Sequence, residues 1–403
     1  LEIVRMNFKS IAMVVFVVIV AAGAYKLGTK QSSSIQSAAP VTPATQVAPA
    51  QIPAPIPQGH PSVERFTHFK VGNSNVKAIL ADGEIVWIGT SGGVVEYNTK
   101  TDAHKMYNVD TGSLLANGIF HLNKLGDELV VGTYGGGLSI YNQEDDEWRN
   151  YNIPQGLADQ FVYDSIITPN GDVWIATWSG ANRIRGGDLD DPSKWDTFTV
   201  ENTKGGLPND WVYGLENGKD GEIWLATEGG LARFKDDKWE NWNHEAGLGA
   251  SYEQVKDAIT FTNDPGKASR HHATQKAEQG LENVDIAYNP NYIISMVVDR
   301  EGIVWCGTWG GGLAKFDGKK WRNYTVDDGL PANHIFMLYL GKDGELWAGT
   351  NQGLAKFNGD GKGFTVKTTR DGLFSDNVFS MGEPDDGTVW VGSFGGVSRL
   401  IGL

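Results

Sequence analysis

The sequence predicts an all-β fold assembled from repeated four-stranded units, and three observations carry that prediction. The 403 residues include 52 Gly and 14 Trp, yet only 40% are hydrophobic. That mixture suits short strands, tight turns and aromatic packing rather than long helices. One pattern (apolar, Trp, apolar, Gly/Ala, Thr/Ser, then glycines and a second apolar run) recurs seven times. Most copies are about 43 residues apart, a period typical of repeat architectures.

Taken in order, the chain first presents an apolar run from Ile11 to Ala24, flanked by Lys9 and Lys26. Its length fits the core of a signal peptide, since a membrane span takes about 20 residues. The wider window Ser10 to Leu27 just reaches a spanning length if its lysines snorkel. Residues 1–30 are therefore expected to form an apolar helix, either a membrane anchor or a cleaved signal. Both place the remainder in the cell envelope, on the periplasmic or extracellular side. Residues 31–62 are rich in Pro, Ala, Ser and Gln, carry no charged side chain, and read as a semi-extended linker.

Residues 63–403 hold the repeats. The tryptophan of the pattern falls at Trp87, Trp174, Trp224, Trp305, Trp347 and Trp390, with Val130 in its place once. Each period divides into four strands. The first ends in an Asp-Gly type of turn, such as Asp220-Gly221 or Asp343-Gly344, which suits a hairpin. The second carries the Trp, the third is of the GGLAKF kind, and the fourth carries two aromatics three apart, as in Trp148/Tyr151, Trp195/Phe198, Trp239/Trp242 and Trp321/Tyr324. Four short strands per period is the signature of a propeller blade. The last copy lacks a fourth strand, while Val63 to Phe69 precedes the first copy with the same aromatic spacing, Phe66/Phe69. The expectation is a monomeric seven-bladed β-propeller whose N-terminal strand completes the last blade and removes the open edge. One step of 81 residues leaves room for an insertion of about 38 within residues 245–290, on a fourth-to-first connection.

This unit resembles the two-component regulator propeller repeat, whose pattern runs G-L-P-x-N-x-V, then D-x-x-G-x-L-W-I-G-T, then x-x-G-L. Gly206-Leu207-Pro208, Gly329-Leu330-Pro331 and Gly372-Leu373-Phe374 open such units here. The resemblance implies a propeller with a binding role, of the kind found as the periplasmic sensor domain of hybrid histidine kinases. No kinase or receiver sequence accompanies the repeats, so the reading is a stand-alone propeller that signals or scaffolds through a separate partner.

The repeats supply an internal control. Positions filled alike in most copies serve the blade, and positions that vary are free to serve a ligand. The repeated Trp, Thr and Gly positions are read as packing and turns. Two positions vary. One lies four residues after the Trp: Ser91, Tyr134, Trp178, Glu228, Trp309, Asn351 and Phe394. The other precedes the first strand: Asn75, Gly118, Phe161, Trp211, Tyr292, His334 and Asn377. In an up-and-down blade both connections emerge on one face. They are expected to form neighbouring rings of aromatic side chains around the channel mouth, fit to stack on a carbohydrate, a peptide or a protein partner; the alternative is that these side chains only plug the mouth. The insertion lies on the same face and reads as a polar lid or contact loop. Within it His271 and His272 are read as solvated, with metal binding beside His244 or His334 as the lesser reading. A first-strand position facing the axis carries mostly small residues, apart from His121 and Asp164, read as a hydrogen-bonded pair.

The net charge of −15 argues against nucleic acid, which needs a basic surface. A single Cys rules out an intramolecular disulfide or a Cys-x-x-Cys site. The sequence calls for no cofactor. The expected function is an exported ligand-binding or protein-interaction module, with a sensory role through a separate partner as one form of it. The competing expectation is a lyase or hydrolase working at the channel mouth, with Glu228, His334, His121 and Asp164 as its acid–base groups.

Overall fold

The computed structural model describes residues 66–402. The apolar segment 1–30 and the linker 31–62 lie outside the described residues. Among the described residues no helix is long and apolar enough to cross a membrane.

The fold is an all-β propeller. Five antiparallel four-stranded sheets follow one another, and a sixth sheet contains six strand elements. In that larger sheet the 17-residue strand Phe66–Asp82 does two jobs. Its first part, Phe66 to Lys70, pairs with Gly396 to Leu400 of the strand Thr388–Ile401. Its second part, Val76 to Asp82, pairs with Ile85–Thr90. The beginning of the described chain is thereby hydrogen-bonded to its end. Phe69 carries the closure into the core, since its ring stacks on Trp390 at 5.2 Å.

The repeated residues perform as the periodicity implies. Trp87, Trp174, Trp224, Trp305, Trp347 and Trp390 are all buried. Fourth-strand aromatics lie against them or their neighbours, as Phe198 does on Trp174 at 5.2 Å and Trp321 on Phe316 at 4.5 Å. Each hydrophobic cluster of the sheets joins two neighbouring repeats. Trp174, for example, packs with Leu207, Val212 and Leu225 of the repeat that follows. Sheets that cannot bury their faces alone are stabilised by their neighbours.

The repeated Thr closes the turn between the second and third strands. Thr133, Thr177, Thr227, Thr308 and Thr350 are fully buried, and each donates its hydroxyl to a glycine carbonyl, for example Thr227 to Gly230 at 2.8 Å. Gly230 has φ of +128°, and a Cβ there would lie 2.3 Å from the Trp242 carbonyl oxygen. Only glycine tolerates both constraints.

Residues 245–290, read from the sequence as a polar lid or contact loop, are partly helical. They contain two one-turn helices, Tyr252–Val255 and Pro265–Ala268, and a nine-residue helix, Arg270–Glu278. Lys276 staples the segment. Its ammonium reaches Asp264 at 2.9 Å and the carbonyls of Val284 and Ile286.

Candidate functional site

The two variable positions of each repeat lie side by side. The amide of Tyr134 donates to Gly118, that of Trp178 to Phe161, and that of Glu228 to Trp211. Isolated bridges Tyr134–Phe161 and Trp309–His334 then link one repeat to the next. The side chains form a continuous run: Tyr134 to Phe161 at 4.6 Å, Phe161 to Trp178 at 4.8 Å, and Trp178 to Trp211 at 4.4 Å, edge to face.

The run is not an open mouth. Trp178, Trp211 and Trp309 are each only 8% exposed, and Phe161, Tyr292, His334 and Glu228 are buried as well. Tyr134 and Phe394 remain half-buried. The inserted segment does much of the covering. Phe261 packs on Trp309 at 5.4 Å and on His334 at 5.0 Å. His271 stacks on Trp211 with centroids 3.7 Å apart. The expectation of solvated histidines is also corrected. His272 is buried, and both histidines reach the same carboxylate. Nδ1 of His272 lies 2.5 Å from Oε1 of Glu228, and Nε2 of His271 lies 3.2 Å from Oε2. Burial pushes the Glu228 carboxyl up, but the two imidazoles outweigh it and hold the group below its usual range. The physical reason is simple: a carboxylate enclosed by indoles needs partners, and the helix Arg270–Glu278 brings them.

His244 and His334 are engaged elsewhere. His244 Nδ1 bonds the Leu248 carbonyl at 2.7 Å, and His334 Nε2 bonds that of Ala287 at 2.7 Å. Burial pulls His334 down to about 4, so its ring is neutral at pH 7. Among the described residues no group of three His, Cys, Asp or Glu side chains is disposed to hold a metal ion.

His121 and Asp164 do meet, with Nδ1 to Oδ1 at 3.1 Å. The pair is fully engaged. The other His121 nitrogen pairs with the Ser165 hydroxyl at 3.0 Å, and Asp164 accepts the amides of Ser165 and Leu215, both at 2.8 Å. Equivalent positions act alike: Ser295 accepts the Leu338 amide, and Ser380 donates to the Val76 carbonyl. Where it carries a polar side chain, this position ties one first strand to the next. Glu216 sits nearby, and burial together with the Asp164 charge pushes its carboxyl up to about 8.

The accessible aromatic surface lies two residues beyond the pre-strand position where it was sought. In every repeat the first strand is interrupted by a register shift, and the bypassed residues are Lys77, Phe120, Tyr163, Tyr213, Ile294, Phe336 and Phe379. A bulge re-aims the side chain it carries. Here the re-aimed side chains touch across repeats. Phe120 meets Tyr163 at 4.9 Å, Tyr163 meets Tyr213 at 4.8 Å, and Phe336 meets Phe379 at 5.5 Å. Tyr292 and Trp309 bridge Tyr213 to Phe336 past Ile294. Lys77 closes the circuit, its ammonium 4.6 Å from the Phe379 centroid and 6.0 Å from that of Phe120. Lys77, Phe120, Tyr163, Phe336 and Phe379 all stay half-buried, so the ring is open to solvent. The comparison of copies passed over it, because these residues, two after the pre-strand position, are Phe or Tyr in five of seven repeats and read as filled alike.

With that geometry in view, three stretches, 206–229, 287–310 and 329–352, match the two component regulator propeller family. The chain carries two-component regulator propeller repeats. These three stretches hold Trp211, Glu228, Tyr292, Trp309 and His334 within the repeat framework. No curated protein matches the sequence. Among solved structures, the repeats are similar to the extracellular domain assigned to a hybrid two component system of B. thetaiotaomicron (TM-score 0.62, 16% identity, 83% of this chain and 41% of that one). They are similar also to that of a one component system of the same organism (0.60, 19%, 84% and 40%). The chain thus spans about 40% of the length of these proteins. A third likeness is to a catalytically inactive variant of virginiamycin B lyase from Staphylococcus aureus with quinupristin (0.56, 13%, 84% and 99%). At these identities the likeness establishes the fold.

Proposed function

We propose that the chain is an extracytoplasmic, membrane-tethered binding propeller, serving a sensory or scaffolding system, that takes a ligand or partner segment at its axial ring. The observation that carries this reading is the half-buried circuit of aromatics around Lys77. Exposed aromatic surface gathered at one point is the usual mark of a binding site. The repeat family and the extracellular domains that share the fold support the sensory sense of the proposal.

The propeller is proposed to have seven blades. The six-stranded sheet is then two blades that share the strands Phe66–Asp82 and Thr388–Ile401. Seven first-strand bulges, one per repeat, support that count. A binding role is favoured over catalysis because Glu228, His334, His121 and Asp164 are each held by neighbouring groups.

The test is capture and array screening of the full chain against glycans, peptides and envelope proteins, beside Phe120→Ala and Phe379→Ala variants. Interactions that both variants preserve in full would refute a site at the ring. Fractionation of cells expressing the full chain tests the tether, and recovery in the cytosol would refute it.

A further inference from the structure

Resting on that reading, we propose that the axial ring binds an organic monoanion with a planar apolar body, an aromatic or heteroaromatic carboxylate whose charge is taken by Lys77. Three observations converge on this class. The first is the cation itself. In a chain of net charge −15, the Lys77 ammonium has no ion pair or hydrogen bond among the described residues, and its contacts are two phenylalanine rings. A cation–π contact offsets only part of the cost of desolvating an ammonium. A carboxylate would complete its coordination.

The second is the surroundings. Five of the other six bulge residues are aromatic and the sixth is Ile294, so the ligand body meets ring faces and not a field of amides and carboxylates. That favours a flat apolar body over a polyhydroxylated one. The third is the donor set. Tyr163 Oη is buried without a hydrogen-bond partner, and its ring adjoins Phe120, on which the single ammonium rests. A single cation among neutral rings matches a single negative charge. A phosphate calls for an arginine fork or several backbone amides. Burial draws Lys77 down to about 8, so the ammonium is charged at pH 7 and is lost as the pH climbs past that value.

The experiment is calorimetric titration of the full chain with phenylacetate and indole-3-acetate, and with the two corresponding amides, at pH 7. Each acid is expected to bind roughly tenfold or more tightly than its amide, the range of a charge-assisted contact. Lys77→Arg should keep that preference and Lys77→Met should erase it, with circular dichroism confirming that both variants fold. In the unmutated chain the preference should fade between pH 7 and pH 9. A preference that survives Lys77→Met overturns the inference. Acids and amides bound equally well, and lost in Phe120→Ala, would overturn it while keeping the ring as a binding site. If neither compound binds but a captured partner depends on Phe120 and Phe379, the monoanion is again refuted and the ring is kept. Failure of every probe and every partner refutes both readings.

Discussion

His272→Ala should release the inserted segment while leaving the propeller standing. Glu228 is fully buried and its carboxylate rests on two imidazoles, the shorter contact being the 2.5 Å one to His272. Breaking a buried charged pair typically costs about 3 to 5 kcal/mol, because the remaining charge has lost its compensation. His271 stays, at 3.2 Å, so the low end applies. Loss of the edge contact of His272 on Trp211 adds about 0.5 kcal/mol. A net loss of about 3 kcal/mol corresponds to roughly a hundredfold change in an opening equilibrium. The loss is local, because the segment keeps other anchors, among them Phe261 on Trp309, Thr260 on Gln352 and the internal Lys276–Asp264 pair. Native-state hydrogen exchange is the assay. Amides of Arg270–Glu278 should exchange roughly a hundredfold faster, while those of Ile223–Thr227 keep their protection. Unchanged protection of the helix, or an equal loss in helix and strands, would refute the argument. Acid should act the same way. The folded Glu228 carboxyl lies below its usual range, so its contribution is complete above about pH 4.5 and is lost as the pH falls through the folded value.

Three further outcomes follow from the same geometry. Glu216→Gln should flatten the alkaline loss of stability. The wild-type carboxyl is held at about 8, so its contribution is whole below about pH 4.5 and is lost as the pH rises to 8; the ceiling is about 5 kcal/mol, and denaturant melts at pH 5 and pH 9 that run parallel for the two proteins would count against it. Trp178→Ala should behave as a core truncation, costing about 3 to 5 kcal/mol in denaturant melts, because the indole is packed between Phe161 and Trp211; a near-neutral result would mean that the indole is exposed. Phe69→Ala should cost about 2 to 3 kcal/mol by unstacking Trp390, and calorimetry showing an unchanged Tm would argue against closure through the N-terminal strand.

Much of the fold was legible because a repeat states the same requirement many times. The Trp, the Thr that bonds a glycine carbonyl, and the glycine that must adopt positive φ recur wherever the blade needs them. The placement of the insertion on the mouth face was legible for the same reason: it interrupts a known connection. The burial of Trp178, Trp211 and Trp309 was not. That of Trp211 and Trp309 depends on His271 and Phe261, which belong to no repeat, and that of Trp178 on its packing between Phe161 and Trp211. The axial ring was missed for a different reason. Strict alternation assigns Phe120 or Phe379 to a blade interface, and only a one-residue bulge turns such a side chain toward its counterparts in the adjoining repeats. The boundary between first and last repeats was half legible. The spare strand was visible, but its merger with the strand that follows into one 17-residue element was not.

The asymmetry of the mouth finally decides where recognition can occur. The inserted segment touches the fourth repeat through Glu228 and Trp211, the fifth through Trp309, and the sixth through His334 and Phe336. It also reaches Gln352 through Thr260 at 2.6 Å. Lys77, Phe120 and Phe379 belong to the first, second and seventh repeats, on the opposite side of the ring. A cover that lay over the whole mouth would have buried Lys77, and an ammonium so enclosed would need a carboxylate that the chain does not supply. The insertion instead shields the indoles of one half and leaves the cation in the other half only half-buried. On the proposed reading, the half-buried arc around Lys77 is where the charged ligand would meet the ammonium without first displacing the helix that holds Glu228.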